Sequence, residues 1–171
     1  LGIYLAEGWL GKYSVNVANE EDYVIERIAH FAEKYGIGYH HNSRKGEIAL
    51  FSIVLLKIIK NLTKGNNAYN KEVPEFIFST NKNMINSFLE GLYYGDGYKN
   101  NSDLWEIELR SKRIVDQIQW LNLLLGEFSS NRERKDKPGH ITNRISKNPN
   151  SLCPYNLPAV VGVYTKKMRE A

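Results

Sequence analysis

Cysteine is nearly absent from this chain. Cys153 stands alone among 171 residues, so no internal disulfide can form, and a reducing compartment is expected. Long apolar runs are absent too. None approaches the roughly 20 residues that cross a bilayer, so no membrane partner is expected. The N-terminus has no basic segment followed by an apolar one, so no secretion signal is read. Phosphate-binding loops, dinucleotide fingerprints and serine-nucleophile motifs are missing. The four histidines, His30, His40, His41 and His140, have no metal-ligand spacing with the cysteine. Neither sign of charge dominates: Lys and Arg number 23 against 19 Asp and Glu. The net +4 permits a nucleic-acid partner without requiring one.

What is present is a short design used twice. Phe88-Leu89-Glu90-Gly91-Leu92-Tyr93-Tyr94-Gly95-Asp96-Gly97 reads as a helix ending at a carboxylate and a glycine. Gly91 and Gly95 share one helix face. Glycine inside a helix costs about 1 kcal/mol relative to alanine, so two on one face imply close approach of another helix backbone. Gly97 suits a left-handed C-cap. Asp96 then sits at the negative end of the helix dipole, where an acid is misplaced unless a cation offsets it. Leu1 to Gly8 repeats the pattern, with Gly2 and Ala6 in the small positions, Glu7 in the place of Asp96 and Gly8 in that of Gly97. Two such helices packed side by side would bring Glu7 and Asp96 together. The resulting oxygen-rich site would suit Mg²⁺.

The repeat extends beyond the motif. Lys12 to Ala18 alternates as a strand, with Tyr13, Val15 and Val17 on one face and Lys12, Ser14 and Asn16 on the other. A helix over 20–35 carries Val24, Ile28, Phe31 and Tyr35, followed by Gly36; a hairpin over 37–51 turns at Ser43-Arg44-Lys45-Gly46; a second apolar helix spans Ile53 to Leu62. In the second half a helix over 82–94 carries the motif, and the strand Asp103 to Arg110 sets Glu106, Glu108 and Arg110 opposite Trp105, Ile107 and Leu109. The helix Ser111 to Leu125 then places Ile114, Ile118, Leu121, Leu125 and Gly126 each 90 positions after its counterpart, and Arg134-Lys135 follow Arg44-Lys45 by the same 90. So constant a shift marks a duplicated unit. The expected fold is α+β, two pseudo-symmetric αββαββα repeats with saddle-shaped antiparallel sheets and a central two-helix interface. The first half covers residues 1–73 and the second 74–171. After Ser146 the register is lost, and an irregular C-terminal tail is expected.

Leu89 to Gly97 resembles the LAGLIDADG motif of homing endonucleases, and Leu1 to Gly8 resembles its partner copy. Val73-Pro74-Glu75-Phe76-Ile77-Phe78 and Ser111-Lys112-Arg113 before an apolar helix are similar to the endonuclease domains of archaeal inteins. The resemblance covers the chain to roughly Ser146. It implies a site-specific endonuclease that cuts both strands of a long, asymmetric double-stranded DNA site across the minor groove, leaving short 3′ overhangs. One acid per half, Glu7 and Asp96, would serve each strand with Mg²⁺ or Mn²⁺, and the carbonyls of Ala6 and Gly95 would also hold metal. A basic residue near each acid assists in the family. Lys112, at a strand-to-helix junction, is the candidate here, whereas the corresponding place in the first half holds Asn19-Glu20.

The wet sheet faces would lie along the major groove, where Arg, Lys and Asn can read base edges. Candidate contacts in the first half are Lys12, Ser14, Asn16, His40, Asn42, Arg44 and Lys45. Those in the second are Lys99, Arg110, Arg132, Arg134, Lys135, Lys137, His140 and Arg144. Glu106 and Glu108 on that face would repel phosphates, although glutamate can accept from cytosine N4. A cytoplasmic, nucleoid-associated monomer is expected. The chain opens inside a motif, so it reads as a piece of a longer intein or host precursor, with any splicing segments outside it. Two other readings stay open. A DNA- or RNA-binding module of the same fold that no longer cuts, such as a maturase or regulator, is disfavoured by the retention of both acids. An unrelated enzyme with paired carboxylates, such as a glycosidase, would leave the equivalent repeat positions of the acids unexplained.

Overall fold

The computed structural model describes residues 1–64, 68–99, 105–137 and 140–152. The chain begins with α1 (Gly2–Glu7), β1 (Gly8–Leu10), β2 (Val15–Ala18), α2 (Asp22–Lys34), β3 (Gly38–Asn42), β4 (Glu47–Phe51) and α3 (Ile53–Leu62). A link containing the 3₁₀ turn Glu75–Ser79 leads to α4 (Lys82–Asp96), β5 (Gly97–Lys99), β6 (Trp105–Leu109), α5 (Lys112–Leu125), β7 (Glu127–Lys137) and β8 (His140–Leu152). The strands form two antiparallel four-stranded sheets with one topology, β1-β2-β4-β3 and β5-β6-β8-β7. The α+β architecture expected from the repeat is therefore the one observed. A closing helix in the second half would fall on residues 153–171, outside the described residues.

Glycine and alanine let α1 and α4 touch. A Cβ built on Gly2 would lie 2.1 Å from the Phe88 carbonyl oxygen, one on Gly95 2.4 Å from Ala6 Cβ, and one on Gly91 3.1 Å from the Ile3 nitrogen. The pair also exchanges side chains. Leu5 of α1 is buried in the core built from α4, β6 and α5, while Tyr94 of α4 packs against the core of Val15, Val17, Val24, Ile28, Ile48 and Leu50. Leu5 and Tyr94 hold the same repeat position, so the two motif helices send equivalent residues across the seam.

The helix ends depart from the expected caps. Gly97 has φ −92° and ψ 158°, and Gly8 φ −93° and ψ 155°; both are extended, not left-handed. Each strand starts the moment its helix stops and folds back so tightly that a Cβ on Gly97 would meet the Tyr93 carbonyl oxygen at 2.5 Å. Crowding, not positive φ, excludes a side chain there. Among the described residues the left-handed glycines are Gly36 (φ 63°) and Gly126 (φ 88°), which follow α2 and α5 at equivalent positions, and Gly46 in the first hairpin turn.

Other expectations shift in detail. The strand proper of β2 begins at Val15, so Lys12, Tyr13 and Ser14 lie in the turn before it, and Tyr13 is exposed. On α2 the buried stripe is Val24, Ile25, Ile28 and Ala32, leaving Phe31 and Tyr35 exposed. Arg134 and Lys135 are not turn residues like Arg44 and Lys45, because β7 runs to Lys137. Residues 147–152, assigned to the irregular tail, continue β8. Between the pairs Ser129↔Lys147 and Glu127↔Leu152, residues Asn148 to Ser151 lie opposite Phe128 alone. That bulge admits Pro149, which has no N–H for a ladder.

Candidate active site

Tight exit from both helices places Glu7 and Asp96 on the last helical residues, at adjacent C-termini. Their carboxyl groups are close enough for the charge of Asp96 to act on Glu7. Asn19, just after β2, is buried and donates through Nδ2 to Glu7 Oε2 (2.9 Å); the same nitrogen is 3.5 Å from the Gly95 carbonyl oxygen. Its own Oδ1 accepts from the Glu21 backbone N–H (2.9 Å), which sets the amide orientation.

A lysine closes the site from the link between the halves. Lys71 Nζ donates to the carbonyl oxygens of Leu5 (3.0 Å) and Gly8 (3.0 Å) and reaches that of Tyr4 at 3.5 Å. It caps the negative end of α1 with a full positive charge. Its backbone belongs to the other side: the Lys71 carbonyl accepts from Ser111 Oγ (2.8 Å), and the Val73 N–H donates to Gln117 Oε1 (2.8 Å). Lys112 stands elsewhere, bound to Asp116 one helical turn along the exposed face of α5 at 2.7 Å. The cation whose charge acts on both acids is Lys71.

No protein-family model matches the chain. It is 29% identical over 144 residues to the DNA-directed RNA polymerase subunit Rpo1C of Methanocaldococcus jannaschii, a match covering 80% of this chain and 16% of that one. Segments of Thermococcus DNA polymerases and of the M. jannaschii replication factor C small subunit match at a similar level. The chain spans no more than about a sixth of these relatives' length. Among solved structures it is similar to the homing endonuclease I-DmoI in complex with DNA and Mn (TM-score 0.62, 13% identity, covering 91% of this chain and 94% of that one). It is also similar to full-length DUF199/WhiA from Thermotoga maritima (TM-score 0.61, 12% identity, covering 97% of this chain and 58% of that one). A second WhiA structure, of that protein's N-terminal LAGLIDADG domain, superposes as well (TM-score 0.55).

The chain has the LAGLIDADG fold.

On this fold the acids are held above their usual pKa. Burial is the main cause for each; Asn19 opposes it at Glu7 and Lys71 at Asp96. Burial lowers the pKa of Lys71, and the two acids pull it back. Raised carboxyl values mean that the folded state binds more protons than the unfolded chain. The stability they contribute is full below the ordinary values, 4.5 for Glu7 and 3.8 for Asp96, and is lost as pH rises through the folded values. Without metal, the protein is expected to melt at a higher temperature at about pH 5 than at about pH 7.5. A Glu7→Gln/Asp96→Asn double variant should show a flatter dependence. At the higher pH, Mg²⁺ or Mn²⁺ is expected to add about 2.7 kcal/mol at a hundredfold excess over its Kd. Melts unchanged by either ion would exclude the acids as a metal site.

The donor set fits a hard cation. Two carboxylates at two negative helix ends face one ammonium, so negative charge is in excess. No group of three or more His, Cys, Asp or Glu that could hold a metal occurs among the described residues. Further ligands would therefore be main-chain carbonyls such as those of Ala6 and Gly95, water and substrate oxygens, which matches the habit of Mg²⁺.

The expected DNA contacts fall into three groups. Asn16, His40 and Asn42 share the outer face of the first sheet with Trp9, and Ser14 Oγ donates to Asn16 Oδ1 (3.0 Å). Lys12 lies over the Tyr13 ring (5.1 Å), and Arg44 and Lys45 occupy the hairpin turn. On the second sheet Arg132, Arg134 and Arg144 share the outer face, while Arg110 beyond β6 binds Tyr69. The side chains of Lys99, Lys135, Lys137 and His140 lie outside the described residues.

Two residues escaped the sequence reading as participants. Asn19 was visible only as a departure from the basic pattern. Lys71 sits in a polar link with no periodicity. The one available signal was that a site with two acids and two helix C-termini needs a nearby cation.

Proposed function

We propose that this chain is a metal-dependent, site-specific DNA endonuclease of the homing type, acting as a monomer on a long asymmetric duplex. The observation that carries the reading is the seam itself. Two carboxylates, one from each repeat, meet at paired helix ends and act on one another electrostatically, with Lys71 tied to both halves. Bound Mg²⁺ would supply a polarised phosphoryl oxygen and an activated water. Glu7 and Asp96 would hold and orient the ion over one strand each. Asn19 would fix the Glu7 carboxylate, and Lys71 would offset charge that builds at the scissile phosphate. The outer sheet faces would position the duplex.

The intein-type assignment draws support from the relatives. One segment of similar length matches inside an RNA polymerase subunit, DNA polymerases and a replication factor subunit, as an element carried within unlike hosts would. A non-cutting nucleic-acid-binding module is the second reading, favoured by the similarity to WhiA.

The deciding experiment incubates the chain with a randomised duplex library and Mg²⁺ and maps the ends produced. Enrichment of one long asymmetric site with short 3′ overhangs is expected. Lys71→Met should slow cutting by on the order of 10–100-fold, as for outer-shell partners of a metal site, while leaving the recovered site unchanged. Stable binding of one site with no cutting in any divalent ion would favour the non-cutting module.

A further inference from the structure

The outer face of the second sheet carries a cluster that phosphodiester chemistry does not use. Strand register sets Tyr98, Glu106, Ser146 and Ser130 in one row, and Glu108, Arg144 and Arg132 in the next. Tyr98 OH donates to Glu106 Oε2 at 2.6 Å, and Arg144 Nη1 lies 3.0 Å from the same oxygen. Arg144 also donates to Glu108 Oε1 through both Nε and Nη2. Arg134 Nη1 donates to that oxygen as well, at 2.9 Å. Glu106 is buried at 8% exposure, while the Glu108 side chain keeps 25%. Glu106 thus anchors Arg144 from beneath, and Glu108 is the carboxylate the two arginines share at the surface.

For a plain phosphate-gripping surface this is a poor arrangement. Free guanidinium groups raise affinity for any duplex. Here Glu106, Glu108, Arg134 and Arg144 sum to no net charge, and a phosphate offers Glu108 no donor. A base pair does. In the major groove cytosine presents the N4 amino donor, and its guanine partner presents the O6 and N7 acceptors that a guanidinium fork matches. An A·T pair offers the carboxylate a donor at adenine N6, but thymine gives the fork only O4. The row of the first sheet that corresponds to Glu108, Arg144 and Arg132 is Ala18, Glu47 and Asn42, and it contains no such couple.

We propose that Glu108 and Arg144 form a reader of one C·G base pair in the half-site under the second sheet, and that Glu108 holds Arg134 and Arg144 back from non-cognate phosphates. The proposal rests on the DNA-binding reading above and adds the residues and the base pair that make the second half selective.

The test is selection of a randomised duplex library by binding, using the full chain in a non-cutting Glu7→Gln/Asp96→Asn background, with salt titrations on a random-sequence duplex. C·G should be enriched at one fixed position of one half-site. Glu108→Gln should reduce that enrichment on the order of tenfold and tighten random-sequence binding. It should also steepen the salt dependence by about one unit of log–log slope per arginine released. Arg144→Lys, which keeps the charge but loses the fork, should lose the guanine preference while still binding duplex. If Glu108→Gln fails to fold in melts, Arg144→Lys carries the test alone. Absence of C·G enrichment, or enrichment unchanged in folded variants, overturns the reader and leaves DNA binding standing. No duplex binding by any version overturns the DNA-binding reading and the reader with it.

Discussion

Glu7→Gln and Asp96→Asn should each turn double-strand cutting into nicking, with the affected strand differing between the two. Each substitution removes one carboxylate from a shared site and leaves the other half's acid in place. A direct metal ligand is worth more than the outer-shell partners of a metal site, whose loss costs roughly 10–100-fold. The rate on the affected strand should therefore fall by more than that, as read by strand-specific end labelling. Stability should move the other way. Both acids are half-buried at negative helix ends, and that partial burial raises both pKa values. Removing either charge relieves repulsion, so each variant should melt at a higher temperature than the unsubstituted protein in chelator at neutral pH, and lose that advantage when metal is added. Full double-strand cutting by both variants would reject the assignment of one acid per strand.

Gly95→Ala should be damaging where Gly91→Ala is nearly silent. Alanine gains about 1 kcal/mol over glycine inside a helix. At Gly91 the new Cβ would sit 3.1 Å from the Ile3 nitrogen and 3.2 Å from Gly2 Cα, which a small adjustment relieves. At Gly95 it would sit 2.4 Å from Ala6 Cβ, and both carbons are fixed to helix backbones. The helices must separate there, at a cost on the order of 1–3 kcal/mol for overpacking before any propensity gain. A chain of this size loses about 2–4 °C in Tm per kcal/mol. Gly95 and Ala6 immediately precede Asp96 and Glu7, so the separation also pulls the carboxylates apart. A misplacement of about 1 Å can cost on the order of a hundredfold in rate. Cutting should thus fall much further than the melting temperature indicates. Equal melts and equal rates for the two alanine variants would refute the close packing of α1 on α4.

Much of this site was legible because duplication writes the same constraint twice. Two small residues four apart, Gly2 and Ala6 or Gly91 and Gly95, with an acid next and a glycine after it, recur at Leu1–Gly8 and Glu90–Gly97; no single local preference produces that. The pairing of α1 with α4 and the meeting of Glu7 and Asp96 follow from it. Gly97 is no left-handed cap, because a glycine after a helix has two uses, positive φ and lack of bulk, and only the path of the next strand separates them. The exposure of Phe31 has a similar cause: in α2 the buried stripe is rotated to include Ile25 and Ala32, a shift the i, i+4 spacing tolerates.

The sequence by itself determined the repeat, the two-sheet α+β fold, the matching of Glu7 with Asp96 and the alternation that sets Asn16 in the first half, and Glu106 and Glu108 in the second, on one face of their strands. Those features depend on periodicity and on side-chain size, which are local. Tertiary structure alone decided which cation serves the acids and which carboxylate restrains the arginines. Lys71 meets Leu5 and Gly8 across more than sixty residues of chain, and Arg144 meets Glu108 across thirty-six. Charges act through space, and two groups that neutralise one another need share no pattern along the chain.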